Sequence, residues 1–189
     1  MSRQPAITLL IKPASGSCNL RCRYCFYADE MKLRNEPTRG FMSEETLEIL
    51  VKKTLQQVSH TATFAFQGGE PTLSGLDFYR RLSELEKKYN TEGLTVHNSL
   101  QTNGIVLNEE WAQFLHDNHF LVGLSLDGYE EIHDENRKFP DGSGSFSRVL
   151  DTAKLLERYQ VDFNILTVVT AESARRVRRI YPFFQEQGF

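Results

Sequence analysis

The run Ala62-Thr63-Phe64-Ala65-Phe66-Gln67-Gly68-Gly69-Glu70-Pro71 carries the pattern that decides the fold. Its first five residues are small, β-branched or aromatic and contain no breaker, which suits a strand. The Gln-Gly-Gly-Glu-Pro that follows ends the strand in polar and turn-forming residues. Beyond it, Phe78, Leu82, Leu85 and Tyr89 recur at helical spacing. One strand passes through a polar turn into one amphipathic helix.

The same unit recurs four more times. Upstream, residues 7–11 read as a strand, and after a loop holding every cysteine a helix opens at Ser43. Ser43 is a good N-cap, Glu44 and Glu45 suit the first turn, and Leu47, Leu50, Val51, Leu55 and Val58 share a face. Downstream, strand 94–100 leads to Asn108-Glu109-Glu110 and a helix through Trp111, Phe114 and Leu115. Strand 121–126 leads to a helix marked by Phe146, Val149, Leu150 and Ala153. Strand 163–169 leads to a helix expected to turn Val177, Ile180 and Phe184 inward. Strict β/α alternation predicts a parallel sheet with helices outside. About five units form a partial, TIM-like α/β barrel, and residues 1–189 read as one core domain. The capping Gly188 before Phe189 would lead into another strand, so the expectation is a chain truncated inside a larger barrel.

Composition narrows the function classes. Hydrophobic residues make up 40% and charged residues 25%, as in ordinary globular domains. A net charge of −3 gives no electrostatic case for nucleic acid or an anionic membrane. No apolar run nears the roughly 20 residues that span a bilayer, and Met1-Ser2-Arg3-Gln4-Pro5 lacks the pattern of a signal peptide. A cytoplasmic protein without nucleic-acid or membrane partners is expected. Arg175-Arg176-Val177-Arg178-Arg179 reads as a solvated helix face, and His116 and His119 as no ligand pair.

In parallel α/β folds the chemistry sits at the C-terminal ends of the strands. Here those ends carry Lys12, Gln67 to Glu70, Gln101 to Gly104, Ser125 with Asp127-Gly128, and Thr167 with Thr170. The sharpest signal lies beside them in Cys18-Asn19-Leu20-Arg21-Cys22-Arg23-Tyr24-Cys25. All 3 cysteines fall there, which makes a poor disulfide framework and a good soft-metal ligand set. A structural zinc wants four closed ligands, and no fourth cysteine exists. Three thiolates on a four-iron cluster leave one iron open for a small molecule. A zinc knuckle completed from elsewhere, or plain buried cysteines, are the alternatives.

This C-x3-C-x2-C spacing, with Tyr24 before the last cysteine, resembles the signature of the radical S-adenosylmethionine (SAM) superfamily. The resemblance implies a 4Fe–4S cluster on Cys18, Cys22 and Cys25, with SAM chelating the open iron. An electron from the cluster would break a carbon–sulfur bond and release a 5′-deoxyadenosyl radical. It further implies that Gly68, Gly69 and Glu70 meet the SAM ammonium, that Ser125 and Arg137 meet its carboxylate or ribose, and that Tyr24 approaches the adenine. Without the resemblance, Arg137 would read as a surface residue.

The runs Gln67-Gly68-Gly69-Glu70-Pro71-Thr72-Leu73, Asn98-Ser99-Leu100-Gln101-Thr102-Asn103-Gly104 and Val122-Gly123-Leu124-Ser125-Leu126-Asp127-Gly128, with Leu10-Ile11-Lys12-Pro13-Ala14 and Cys25-Phe26-Tyr27, resemble anaerobic sulfatase-maturating enzymes. That family implies two-electron oxidation of a sulfatase cysteine or serine to formylglycine. Its substrate would be a sulfatase polypeptide, and flavodoxin or ferredoxin would be the electron donor. Tyr27, Gln67 and Gln101 would stand on the substrate side. Full-length relatives continue into a domain with two auxiliary clusters, and their proton acceptor lies there, so no catalytic base is named within 1–189. Other readings are another peptide-modifying radical SAM enzyme, such as a thioether-forming maturase, and a zinc-binding module.

Overall fold

The computed structural model describes residues 3–189; Met1 and Ser2, part of the N-terminal segment read above, lie outside the described residues. Five strands form one sheet: β1 (Gln4–Ile11), β2 (Val58–Phe66), β3 (Thr95–Thr102), β4 (Leu121–Ser125) and β5 (Phe163–Leu166). They lie side by side in chain order, and every neighbouring pair is parallel. Helices α1 (Phe26–Leu33), α2 (Glu44–Gln57), α3 (Leu76–Tyr89), α4 (Glu109–Asp117), α5 (Glu130–Asn136), α6 (Phe146–Arg158), α7 (Ala171–Arg175) and α8 (Val177–Glu186) connect and follow them.

Register decides where the chemistry collects. Ile11 lies opposite Phe66, Phe66 opposite Leu100, Thr102 opposite Leu124, and Leu124 opposite Ile165. The C-terminal ends therefore finish together, and the residues just past them form one rim. The Gln67 N–H donates to the Ile11 carbonyl at 2.9 Å and carries the ladder one step into that rim.

Strand alternation splits the two sheet faces. Ala62, Phe64, Phe66, Leu100, Val122 and Leu124 are buried against the helices, while Ala65, Gln67, Ser99, Gln101 and Gly123 point to the other face and are only half-buried. Fully buried Tyr79 of α3 sits at the centre of the helix-side core, edge-on to Phe66 at 5.1 Å and Trp111 at 5.2 Å. Its hydroxyl donates to the Pro71 carbonyl at 3.1 Å, so the core also fixes the turn after β2. Each such side chain contributes about 1.5–3 kcal/mol by burial, enough to hold the rim on a stiff base.

Several local expectations need correction. The cysteine loop runs directly into α1, which buries none of its residues and so carries no amphipathic signature in the sequence. Helix α5 was equally invisible, because Glu130-Glu131-Ile132-His133-Asp134-Glu135-Asn136 offers a single aliphatic residue. The last helix is two helices, broken at Arg176; Ile180 is buried as expected, but Val177 is 55% exposed. Strand β5 stops at Leu166 rather than 169, and Val168 instead gives its N–H to Asp127. Ser43 caps α2 as read, accepting from the Thr46 N–H at 3.2 Å.

Candidate cluster and cofactor site

A cavity of about 270 Å³ opens beside the rim, lined by Cys18, Cys22 and Cys25 together with Leu20, Tyr27 and Gly69. The loop 12–25 reaches it because two neighbours grip its backbone. On one side the Glu70 N–H donates to the Ser17 carbonyl at 2.8 Å. On the other, the Arg21 and Arg23 N–H groups donate to the Lys138 and Asn136 carbonyls at 2.7 and 2.8 Å.

Gly69 makes the first grip possible. It has φ +56°, and a Cβ there would lie 2.3 Å from the Ser17 carbonyl oxygen and 2.9 Å from the Gly16 carbonyl carbon. Those are backbone atoms, which cannot swing away as a side chain could. Gly68 lies against the methylenes of Lys12 instead, whose ammonium stands 4.8 Å over the Tyr27 ring.

Glu70 lies beneath the cavity with 1% exposure. Its Oε1 accepts from the Thr72 N–H at 3.1 Å, the Thr72 hydroxyl at 2.7 Å and the Thr102 hydroxyl at 2.8 Å; its Oε2 accepts from the Asn103 N–H at 2.7 Å. Burial pushes its pKa up, and these four donors oppose that. Asn103 in turn donates from Nδ2 to Asn19 Oδ1 at 2.8 Å, within the cysteine loop.

On the far side of the loop, Arg137 is buried, not on the surface. Its Nε and Nη2 donate to the Asp127 carboxylate at 2.9 and 3.2 Å. The Tyr24 hydroxyl donates to the same carboxylate, and the Tyr24 ring lies 5.5 Å from the guanidinium. The Val168 N–H adds a further bond to Asp127 at 3.0 Å. Ser125, at the end of β4, is buried nearby and does not line the 270 Å³ cavity.

The thiols carry the imprint of this setting. Burial pushes Cys18 up to about 11. Burial also raises Cys22, against the pull of the Arg137 charge. Metals take thiolates, so loading this site releases protons and Arg137 favours it. Among the described residues, no three His, Cys, Asp or Glu side chains converge as ligands of one ion. Three thiols around one cavity suit a polynuclear cluster, in which each thiolate takes a different iron. The donor set and the backbone cradle at Gly69 therefore fit an iron–sulfur cluster.

The family model for the radical SAM superfamily matches residues 13–183. The chain belongs to the radical SAM superfamily. Among its relatives in that superfamily, the cysteine-type anaerobic sulfatase-maturating enzyme of Clostridium perfringens is 51% identical over 185 residues, covering 98% of this chain and 50% of the relative. The serine-type enzyme of Bacteroides thetaiotaomicron is 38% identical, covering 94% and 43%. A solved structure of anSMEcpe with bound AdoMet and the Kp18Cys peptide superposes with a TM-score of 0.92 at 50% identity, covering 98% of this chain and 49% of that one. The chain spans about half the length of the curated relatives it matches. The partial α/β barrel expected from the sequence is the fold found.

Of the residues singled out from sequence, Cys18, Cys22, Cys25, Gly69 and Tyr27 share one cavity. Gln67 and Gln101 line a separate groove of about 230 Å³ on the inner sheet face, with Ser99, Leu121, Gly123 and Leu166. Tyr24 and Arg137 meet through Asp127, which was read only as a rim residue. Thr102 and Asn103 likewise read only as rim residues, and His133 and Ser145 carry no signal in the sequence.

Proposed function

We propose that the protein is a radical SAM oxidoreductase that cleaves SAM reductively and oxidises a cysteine of a sulfatase polypeptide to formylglycine. One observation carries this reading: three cysteines and Gly69 line a single cavity in a chain 51% identical, across 98% of its length, to a cysteine-type sulfatase-maturating enzyme. The lower identity, 38%, to the serine-type enzyme favours cysteine over serine as the target.

Cys18, Cys22 and Cys25 would hold the 4Fe–4S cluster, leaving one iron for SAM. When bound, cluster and SAM supply a hydrogen-abstracting radical, and the protein's part is orientation and exclusion of water. Gly68 and Gly69 would let the backbone approach the methionyl group, and Glu70 holds that turn to the end of β3. Tyr24, Ser125 and Arg137 would hold the nucleoside and carboxylate ends of SAM. The inner-face groove with Gln67 and Gln101 would offer amide hydrogen bonds to an extended peptide, and Tyr27 lines the cavity that holds the cysteines. A one-electron donor of the flavodoxin or ferredoxin type would reduce the site.

Turnover would remove two electrons and two protons from the cysteine Cβ–Sγ unit. SAM would be the net acceptor of both electrons and one proton, leaving as methionine and 5′-deoxyadenosine, with the second proton released. Water would then replace sulfur, which leaves as sulfide. The test is anaerobic incubation of the whole protein with SAM, reductant and a sulfatase peptide. Formation of 5′-deoxyadenosine together with an aldehyde-bearing peptide is expected. Intact SAM and unmodified peptide, with the cluster loaded, would contradict the reading.

A further inference from the structure

Helix α5 is stitched to the cysteine loop. The carbonyls of Asn136 and Lys138, at and just beyond its C-terminal end, accept the N–H groups of Arg23 and Arg21 on either side of Cys22. Carbonyls at a helix end lack intrahelical partners, so they are free to take these bonds. Any displacement of α5 therefore moves the backbone around Cys22.

His133 lies inside α5 with 0% exposure. Its Nδ1 accepts the Asp127 N–H at 3.3 Å. Nε2 is then the protonated nitrogen and donates to Ser145 Oγ at 3.0 Å. Ser145 Oγ donates onward to the Arg137 carbonyl at 2.8 Å. One imidazole thus joins the end of β4, the residue before α6 and the cap of α5, with the Phe146 ring packed at 5.9 Å. Burial and the Arg137 charge hold its pKa down at about 4, so the ring stays neutral with both nitrogens used. A leucine here would leave the Asp127 N–H and the Ser145 hydroxyl without these ring partners; a ring with opposed donor and acceptor satisfies both and fixes direction.

We infer that His133 is a positioning residue for the cysteine loop. By locking α5 to β4 and α6 it fixes the two carbonyls that hold Arg21 and Arg23, and with them Cys22 and the Arg137 guanidinium. It contacts no cysteine and acts only through this lock. The inference rests on the cluster reading proposed above.

The test follows iron release to a chelator from the anaerobically reconstituted whole protein, with thermal unfolding by circular dichroism alongside. His133→Phe removes both ring hydrogen bonds, and Ser145→Ala removes the link through the serine alone. Leu115→Ala, buried against the core in α4, supplies a loss of Tm without touching the loop. Residues that orient metal ligands typically change metal affinity by about 10- to 100-fold when lost. His133→Phe is accordingly expected to release iron about tenfold faster than Leu115→Ala, each measured at the same interval below its own Tm. If His133→Phe does not fold, Ser145→Ala carries the comparison, with the same direction expected. Release no faster than from Leu115→Ala overturns the inference. A parent protein that takes up no iron overturns instead the assignment of the cysteines, so the two failures are distinguishable.

Discussion

The Glu70 carboxylate receives the Asn103 backbone N–H at 2.7 Å, and this bond ties the turn after β2 to the end of β3. Asn103 then reaches Asn19 in the cysteine loop, so Glu70 supports the cavity from below through protein contacts. Glu70→Ala would strand four donors in a buried site, each costing about 1–3 kcal/mol. A large fall in Tm is expected, together with reduced iron after reconstitution. Glu70→Ala with parental Tm and weakened SAM binding alone would show that the carboxylate serves the ligand and not the scaffold.

Gly69 gives a sharper test of the cradle. Gly93 has a similar φ of +68°, yet nothing lies within 4 Å of a Cβ placed there. Gly93→Ala therefore reports backbone strain alone, about 1 kcal/mol. Gly69→Ala adds collision with the Ser17 carbonyl and must push the cysteine loop away. It is expected to lose most of its iron and SAM binding while Gly93→Ala keeps both, as measured by iron analysis and calorimetric titration.

The buried Asp127–Arg137 pair separates scaffold from ligand contacts on the other side. Arg137→Ala leaves an uncompensated carboxylate, a change of about 3–5 kcal/mol, so both Tm and SAM affinity should fall. Ser125 has no such partner, and Ser125→Ala should weaken SAM binding at nearly parental Tm. Denaturant unfolding and SAM titration of the two variants make the comparison. Equal Tm for both would contradict the structural role of the pair.

Glu86 of α3 predicts a pH dependence away from the site. Burial raises its pKa from 4.5 to about 7, against a hydrogen bond from Asn98 Nδ2 at 3.1 Å. The folded state therefore holds this proton more tightly than the unfolded chain. The resulting stability is complete below about pH 4.5 and is lost as pH rises through about 7. That shift corresponds to up to roughly 3 kcal/mol. Glu86→Gln, neutral at all pH, should flatten the decline in unfolding free energy over this interval; an unchanged decline would place its cause elsewhere.

The sheet was legible because each buried strand face repeats with period two and each of α2, α3, α4 and α6 carries an apolar stripe. The cysteines were legible because their spacing is local. The Glu70 and Asp127 networks were not, since Thr102 and Asn103 lie 32 and 33 residues from Glu70, and Val168 and Tyr24 lie 41 and 103 from Asp127, so they meet only after the strands align. Helices α1 and α5 were missed for a related reason: they are held by loop contacts and caps, and periodicity reports only core burial. Taken without the resemblance Arg137 reads as a surface residue, and its pairing with Asp127 and the Tyr24 ring makes its burial tolerable.

The most direct measurement is spectroscopic. The account predicts that anaerobically reconstituted residues 1–189 bind about four irons, and that the electron paramagnetic resonance spectrum of the reduced cluster changes when SAM is added. Cys18→Ala, Cys22→Ala and Cys25→Ala should each abolish that signal. Stoichiometric zinc without a charge-transfer band, or a cluster spectrum indifferent to saturating SAM, would contradict it.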